Sequence, residues 1–335
     1  VRSADLDGDG DPDLIVTGGG QDRLRWHENL GGGTYGTERS VPSGHVQTFS
    51  LDAADMDGDG DVDIVHGSNS GTFVGWTPNL GQGEFGESIP LTGGAPHGRI
   101  VRIIDVDADG DPDVLASKTG TPEVVFFENM GGGLFAPAVV LGTATSSAKH
   151  YTIEDVDADG DIDLVVADNG AGAVVLLEGT PAGFLPAQIV ASGLNGGRHV
   201  ECADIDGDGR LDIVVTTGGD QRVSWIRSLA AGNWAAPILV DGGISAVVMA
   251  VPSDVDGDGD VDLISISDFE GVALHRNLGG GTFAPRVQIV SLVSNASNVE
   301  IADLDGDGWD DLAVTGTGDG IVALALGDGT GAFED

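Results

Sequence analysis

Aspartates at alternate positions are the residues of this 335-residue chain best placed to do chemistry. The pattern Asp-x-Asp-x-Asp-Gly-x-x-Asp occurs seven times. Its first copies hold Asp5, Asp7, Asp9, Asp11 and Asp13, then Asp55, Asp57, Asp59, Asp61 and Asp63, then Asp105, Asp107, Asp109, Asp111 and Asp113. The later ones hold Asp155, Asp157, Asp159, Asp161 and Asp163, then Asp204, Asp206, Asp208, Arg210 and Asp212, then Asp254, Asp256, Asp258, Asp260 and Asp262. The last holds Asp303, Asp305, Asp307, Trp309 and Asp311. Hard oxygen donors at positions one, three, five and nine can wrap one cation, and Gly at position six permits the turn that brings the ninth residue back. Position seven would offer its backbone carbonyl, which leaves its side chain free to vary. It does vary, to Arg210 and Trp309. Donors of oxygen only, with no His or Cys, select calcium ahead of magnesium or a transition metal. An EF-hand would need Glu at position twelve, where Val16, His66, Ala116, Val166, Val215, Ser265 and Val314 stand.

These clusters hold 34 of the 55 acids, and the remainder of the chain sets 21 acids against 14 bases. The formal charge of −41 is therefore concentrated in seven short loops, and seven bound calcium ions would bring it to about −27. No basic stripe exists to meet phosphates, which argues against nucleic acid as partner. No apolar run approaches ~18 residues, so no membrane insertion is expected. Cys202 is the single cysteine, so cystine cannot staple the fold. With a dissociation constant of ~0.1 mM and ~1–2 mM calcium, each loop would add roughly 1.4–1.8 kcal/mol. Seven would reach ~10 kcal/mol, the scale of a whole domain's stability. Such affinities are useful only outside the cytosol, so an extracellular or cell-surface location is expected.

The elements that position the loops repeat with them. Clusters begin at residues 5, 55, 105, 155, 204, 254 and 303, and each is followed by short Val- and Ile-rich runs such as Leu164-Val165-Val166 and Val174-Val175-Leu176-Leu177. Gly-rich turns separate them, including Asn29–Tyr35, Asn129–Phe135 and Asn277–Phe283. Four short strands per ~50 residues, repeated seven times, predict an all-β, seven-bladed β-propeller with four-stranded blades, one over residues 1–335. The chain starts inside an innermost strand at Val1 and stops before an outermost one, so the seventh blade is expected to be three-stranded. With no initiator Met at Val1, other domains of a longer chain are expected.

Asp5 to Leu14 and its six copies resemble FG-GAP/VCBS repeats, the type found in integrin α-subunit propellers and many secreted bacterial proteins, and the Phe-Ala-Pro pieces at Phe135–Pro137 and Phe283–Pro285 are similar to the same family. The resemblance implies calcium loops between the first and second strands of each blade, on one face. It implies that the connections entering the first strand, and those joining strands two and three, share the other face. Adhesins, lectin-like modules and parts of polysaccharide-degrading enzymes all belong to that family.

That other face would gather His45, His97, Arg99, Lys149, His150, Arg198 and His199, with Gln21, Asp22, Arg23, Lys118, Asp168, Asn169, Asp220, Gln221 and Arg222 in the second class of loop. The first reading is a binding or adhesion module for a glycan or extracellular protein, with His45, His97, Lys149, His150, Tyr151, Arg198 and His199 as candidate ligand residues. No phosphate loop, nucleophile elbow or metal-hydrolase helix is present. The rival is a polysaccharide lyase or hydrolase with Lys149, His150 and Tyr151 set beside Arg198 and His199. A purely structural segment of a larger surface protein is the third option. Trp26, Trp76, Phe126 and Trp225 share one register with Leu176, Leu274 and Leu324, which reads as inter-blade core. Glu300, Arg2, Asp52 and Arg102 alternate in sign at matching positions, which predicts paired charges.

Overall fold

Short Val- and Ile-rich runs cut by Gly, Asn and Asp favour strands over helices, and among the described residues every regular element is a β-strand. The computed structural model describes residues 1–334 apart from 19–23, 46–47, 69–72, 92–99, 108, 118–122, 144–147, 181–182, 231, 291–292, 294 and 319. Among the described residues the strands form seven four-stranded sheets, each paired in chain order, the blades of a seven-bladed β-propeller, and one two-stranded hairpin, Ser228–Leu229 with Asn233–Trp234, set between the last two strands of blade five. Blade four shows the plan, with strands Ala148–Glu154, Asp163–Asp168, Ala173–Leu177 and Gln188–Ser192 paired antiparallel in that order. Blade five repeats it with Gly197–Ala203, Asp212–Thr217, Arg222–Ile226 and Ile238–Gly242. Second strands are buried on both faces, as Asp163–Asp168 is throughout, whereas fourth strands such as Gln188–Ser192 are largely exposed. That gradient explains why the second runs are continuously apolar rather than alternating.

Residue contacts divide the chain into two compact units, Val1–Thr143 with Ala302–Gly308 and Ala144–Ile301 with Trp309–Asp335. In each, the core lies between adjacent sheets. In the first unit Ile15, Leu24 and Trp26 pack with Leu51 and Ile64, and Val65, Val74 and Trp76 pack with Val101, Val114 and Phe127. In the second, Val165, Val174 and Leu176 meet Val200, Ile213 and Val215, and Val214 and Trp225 meet Val247 and Leu263. The tryptophan register is core, as expected, with one difference: Phe126 is half-buried and its neighbour Phe127 enters the cluster. Each Trp also lies over a turn glycine of the following blade. A Cβ on Gly133 would come within 2.5 Å of the Trp76 ring, and φ there is +70°, so space and backbone both require glycine.

Blade seven corrects one expectation. Its sheet has a short fourth strand, Phe333–Glu334, paired with Gly327 and Leu326. The turn after Gly327 folds this segment back on the third strand, in the register of the Asn29–Tyr35 bridge of blade one. Phe333–Glu334 thus matches the Tyr35 side of that bridge rather than the blade-one strand Arg39–Val41.

Candidate functional site

Each acidic loop is held open by its own backbone. In blade one, Asp5 Oδ1 accepts the N–H of Gly8 at 2.8 Å, and Oδ2 accepts that of Gly10 at 3.0 Å. Gly10 takes φ +100°, and its equivalents Gly60, Gly110 and Gly160 all take +96°, the left-handed turn that position six demands. Asp13, the ninth position, is fully buried and is held twice, accepting the N–H of Leu6 at 2.9 Å and of Asn29 at 2.7 Å. Donor oxygens of Asp5, Asp7 and Asp13 all lie within 4.8 Å of one another, and so do those of Asp55, Asp57 and Asp63, of Asp105, Asp107 and Asp113, and of Asp155, Asp157 and Asp163. The fifth position stands beside these trios, with Asp9 Oδ1 accepting the Asp11 N–H at 3.0 Å.

The seventh side chain turns away from the loop in blades three and seven but not in blade five, where Arg210 lies on the fifth-position carboxylate. Asp111 lies so close to Gly131 that a Cβ there would meet its Oδ2 at 3.1 Å. Arg210 pairs with Asp208, and Trp309 lies over Gly257 and Gly329. A carbonyl role at this position is thus compatible with any side chain.

The loops have the electrostatics of a cation site. Burial first, then neighbouring carboxylates, raises the pKa of Asp13, Asp113, Asp163, Asp212 and Asp262 to about 6 and that of Asp63 to about 7, against the pull of their backbone N–H partners. Asp206 Oδ1 and Asp262 Oδ2 are buried with no hydrogen-bond partner. Clustered carboxylates with orphaned oxygens fit a hard divalent cation, although in blade five Arg227 already pairs with Asp206 and Asp208, and in blade six Arg276 with Asp256.

A residue class missed by the sequence reading ties neighbouring loops together. Asn129 Nδ2 donates to Pro112 O at 3.0 Å in its own loop and to Met56 O at 2.8 Å in the loop of the preceding blade, while its Oδ1 accepts Gly131 N–H at 3.1 Å. Asn29, Asn79 and Asn277 do the same. In blades four and seven the equivalents are Gly179 and Gly327, which keep only the backbone N–H bond to Asp163 or Asp311, at 2.7 Å in each. The recurring Asn two residues before a turn glycine was the available signal.

The other end of the first strands holds the remaining candidates. His97 and Arg99, with Gln21, Asp22, Arg23 and Lys118, lie outside the described residues. His45 belongs to a separate stack, its ring 5.1 Å from His66 and 4.4 Å from Phe73. In blades four and five the register slips between Ala148 and His150 and between Gly197 and His199, so Lys149 and Arg198 occupy β-bulges. His150 and His199, about 50 residues apart, thereby stack at 4.0 Å. Glu201 Oε1 lies 3.4 Å from His199 Nε2, and Arg198 reaches Asp268 at 3.8 Å. Tyr151 corrects the sequence reading: it is fully buried, because strand alternation turns it to the face opposite His150 and Thr152. It is unable to meet a ligand there as acid or contact. Of the alternating charges, Arg2 and Asp52 pair at 3.6 Å, and Asp52 Oδ2 also accepts the Ile103 N–H at 2.9 Å.

A family model described as FG-GAP-like repeat matches residues 5–66, 155–215 and 254–314. A search of curated proteins finds no match. Among solved structures, the chain is similar to an Agrocybe aegerita lectin that recognises non-reducing terminal N-acetylglucosamine, at 21% identity and TM-score 0.70, over 97% of this chain and 90% of that one. It is also similar to a Bacteroides uniformis protein described as a candidate 6-phosphogluconolactonase, at 15% identity and TM-score 0.64, over 96% and 94%. The computationally designed Ika8 protein matches at 12% identity and TM-score 0.54, over 90% and 80%. At these identities the likeness shows the fold.

Proposed function

The chain belongs to the FG-GAP-like repeat family, and from that premise we propose that it is an extracellular, calcium-stabilised binding module whose ligand is a glycan or a protein. The observation that carries the reading is the polar cluster of blades four and five, where His199, 3.4 Å from Glu201 on its own first strand, stacks on His150 of the preceding blade, while the adjacent Arg198 reaches Asp268. Such groups are costly to gather on a strand that elsewhere carries Ser50 or Met249 at the same position, which favours a role in recognition.

Calcium is the cation we assign to the acidic loops. Positions one, three, five and nine of each repeat would hold it, with the carbonyl of position seven. Bound there it would neutralise the carboxylates and lock the first strand to the second. The requirement for millimolar calcium is what supports an extracellular setting.

The test is a glycan array, probed in calcium, led by N-acetylglucosamine-terminated glycans because a propeller of this fold recognises them. Binding lost in Arg198→Ala, with the melting temperature held, is the expected result. The reading fails if wild-type and variant bind alike, or if neither binds a glycan or a protein from an extracellular panel. Unsaturated sugar products absorbing in the ultraviolet would turn the assignment toward a lyase.

A further inference from the structure

We propose that His150, His199 and Glu201 form a second, chemically distinct metal site, for a first-row divalent transition ion such as zinc. The sequence places His199 and Glu201 two apart on the strand Gly197–Ala203, so both side chains leave the same face. The bulge at Lys149 brings His150 into the matching position of the neighbouring strand Ala148–Glu154. One ligand atom from each residue lies within 4.8 Å of the other two.

Part of the geometry suits a metal directly, and the face-to-face stack of the two imidazoles, 4.0 Å between centroids, opens by rotation of the His199 ring on loading. His199 Nε2 and Glu201 Oε1 are 3.4 Å apart, close to the roughly 3.3 Å edge of a tetrahedron built on zinc–ligand distances of about 2.0–2.1 Å. His150 Nδ1 lies 3.1 Å from Val200 O, so Nδ1–H donates to that carbonyl and Nε2 is left as the metal-facing atom. This backbone anchor fixes the ring and its tautomer, the usual support of a ligating histidine. His199 is buried at 5% exposure, which excludes bulk water from part of the shell. Two imidazoles and one carboxylate leave a fourth position open for water or for a hydroxyl of a bound ligand. Imidazole also separates this site from the acidic loops, whose all-oxygen donors favour calcium. The inference stands on this geometry alone and survives if no glycan binds.

Calorimetric titration of the full chain with zinc chloride, in about 2 mM calcium to fill the acidic loops, tests it. The expected result is one zinc per chain in the micromolar range or tighter, weakened about 100-fold or more in His199→Gln and in His150→Gln. X-ray absorption of the zinc-loaded wild-type chain should show imidazole scattering, a readout that needs no variant. An oxygen-only shell, the absence of a stoichiometric site, or unchanged affinity in both folded variants would overturn the proposal.

Discussion

The first strand of blade five, Gly197–Ala203, joins two regions built on different logic. Beyond its last residue lies Asp204, the start of an acidic loop that recurs in every blade with the same glycine turn and the same fully buried ninth aspartate. Near its first residue stand Arg198 and His199, and the matching position holds Ser50 in blade two and Met249 in blade six. Each copy of the repeated region supports its own hairpin, and its energy is multiplied by seven. The other region occurs where two adjacent repeats depart from the pattern together. A repeated polar cluster is thus explained by architecture, whereas an unrepeated one asks for a ligand.

Removing calcium should break this contrast most strongly. Chelation is expected to lower stability by up to ~10 kcal/mol and to depress the calorimetric melting temperature steeply, with no comparable effect from substitutions at His150 or His199. A chelator-insensitive melt would leave the acidic loops without their proposed role. Within one loop, Asp163→Ala leaves the buried N–H groups of Val156 and Gly179 without partners, which bonded at 2.9 and 2.7 Å. A loss of about 3 kcal/mol in denaturant unfolding is expected, and a loss under about 1 would contradict the double anchor.

Titration separates the loops from the buried histidines by sign. Burial raises Asp13 to about 6 and Asp63 to about 7, so their contribution to metal-free stability is present at low pH and is lost as pH rises through those values. His66 is pushed down to about 3 and His275 to about 4, chiefly by burial. Their contribution is full above about 6.5 and is lost as pH falls toward 4, because the unfolded chain takes up protons first. Melting in chelator should therefore worsen from pH 5 to pH 8, melting in calcium should not, and His66→Gln should soften the acid-side loss. A smaller effect is expected from Asn129→Ala, about 2 kcal/mol, because the Met56 and Pro112 carbonyls and the Gly131 N–H lose their partner. Smallest of all for stability is Arg198→Ala, whose 3.8 Å contact with Asp268 is partly exposed and should contribute within about 0.5 kcal/mol.

Much of this was legible in the chain itself, since periodic features need only local information. The Asp-x-Asp-x-Asp-Gly-x-x-Asp spacing names its turn because Gly10 and its equivalents alone accept the required φ. The variation through Arg210 and Trp309 already marked a position whose side chain offers no constant oxygen donor. The role of Asn129 was hidden, because its second acceptor, Met56 O, lies 73 residues away. Tyr151 sat beside His150 in sequence and was read with it, yet strand alternation sends the two to opposite faces.

By itself the sequence determined the number of blades, the strands and the seven acidic loops, because each follows from short-range patterning repeated at a fixed interval. Tertiary structure decided which repeats touch through Asn, and that the seventh sheet gains Phe333–Glu334. It also decided that His150, His199 and Glu201 converge. Those outcomes depend on bulges and on packing between sheets, where a one-residue slip re-aims a side chain and where partners lie some 50 residues apart.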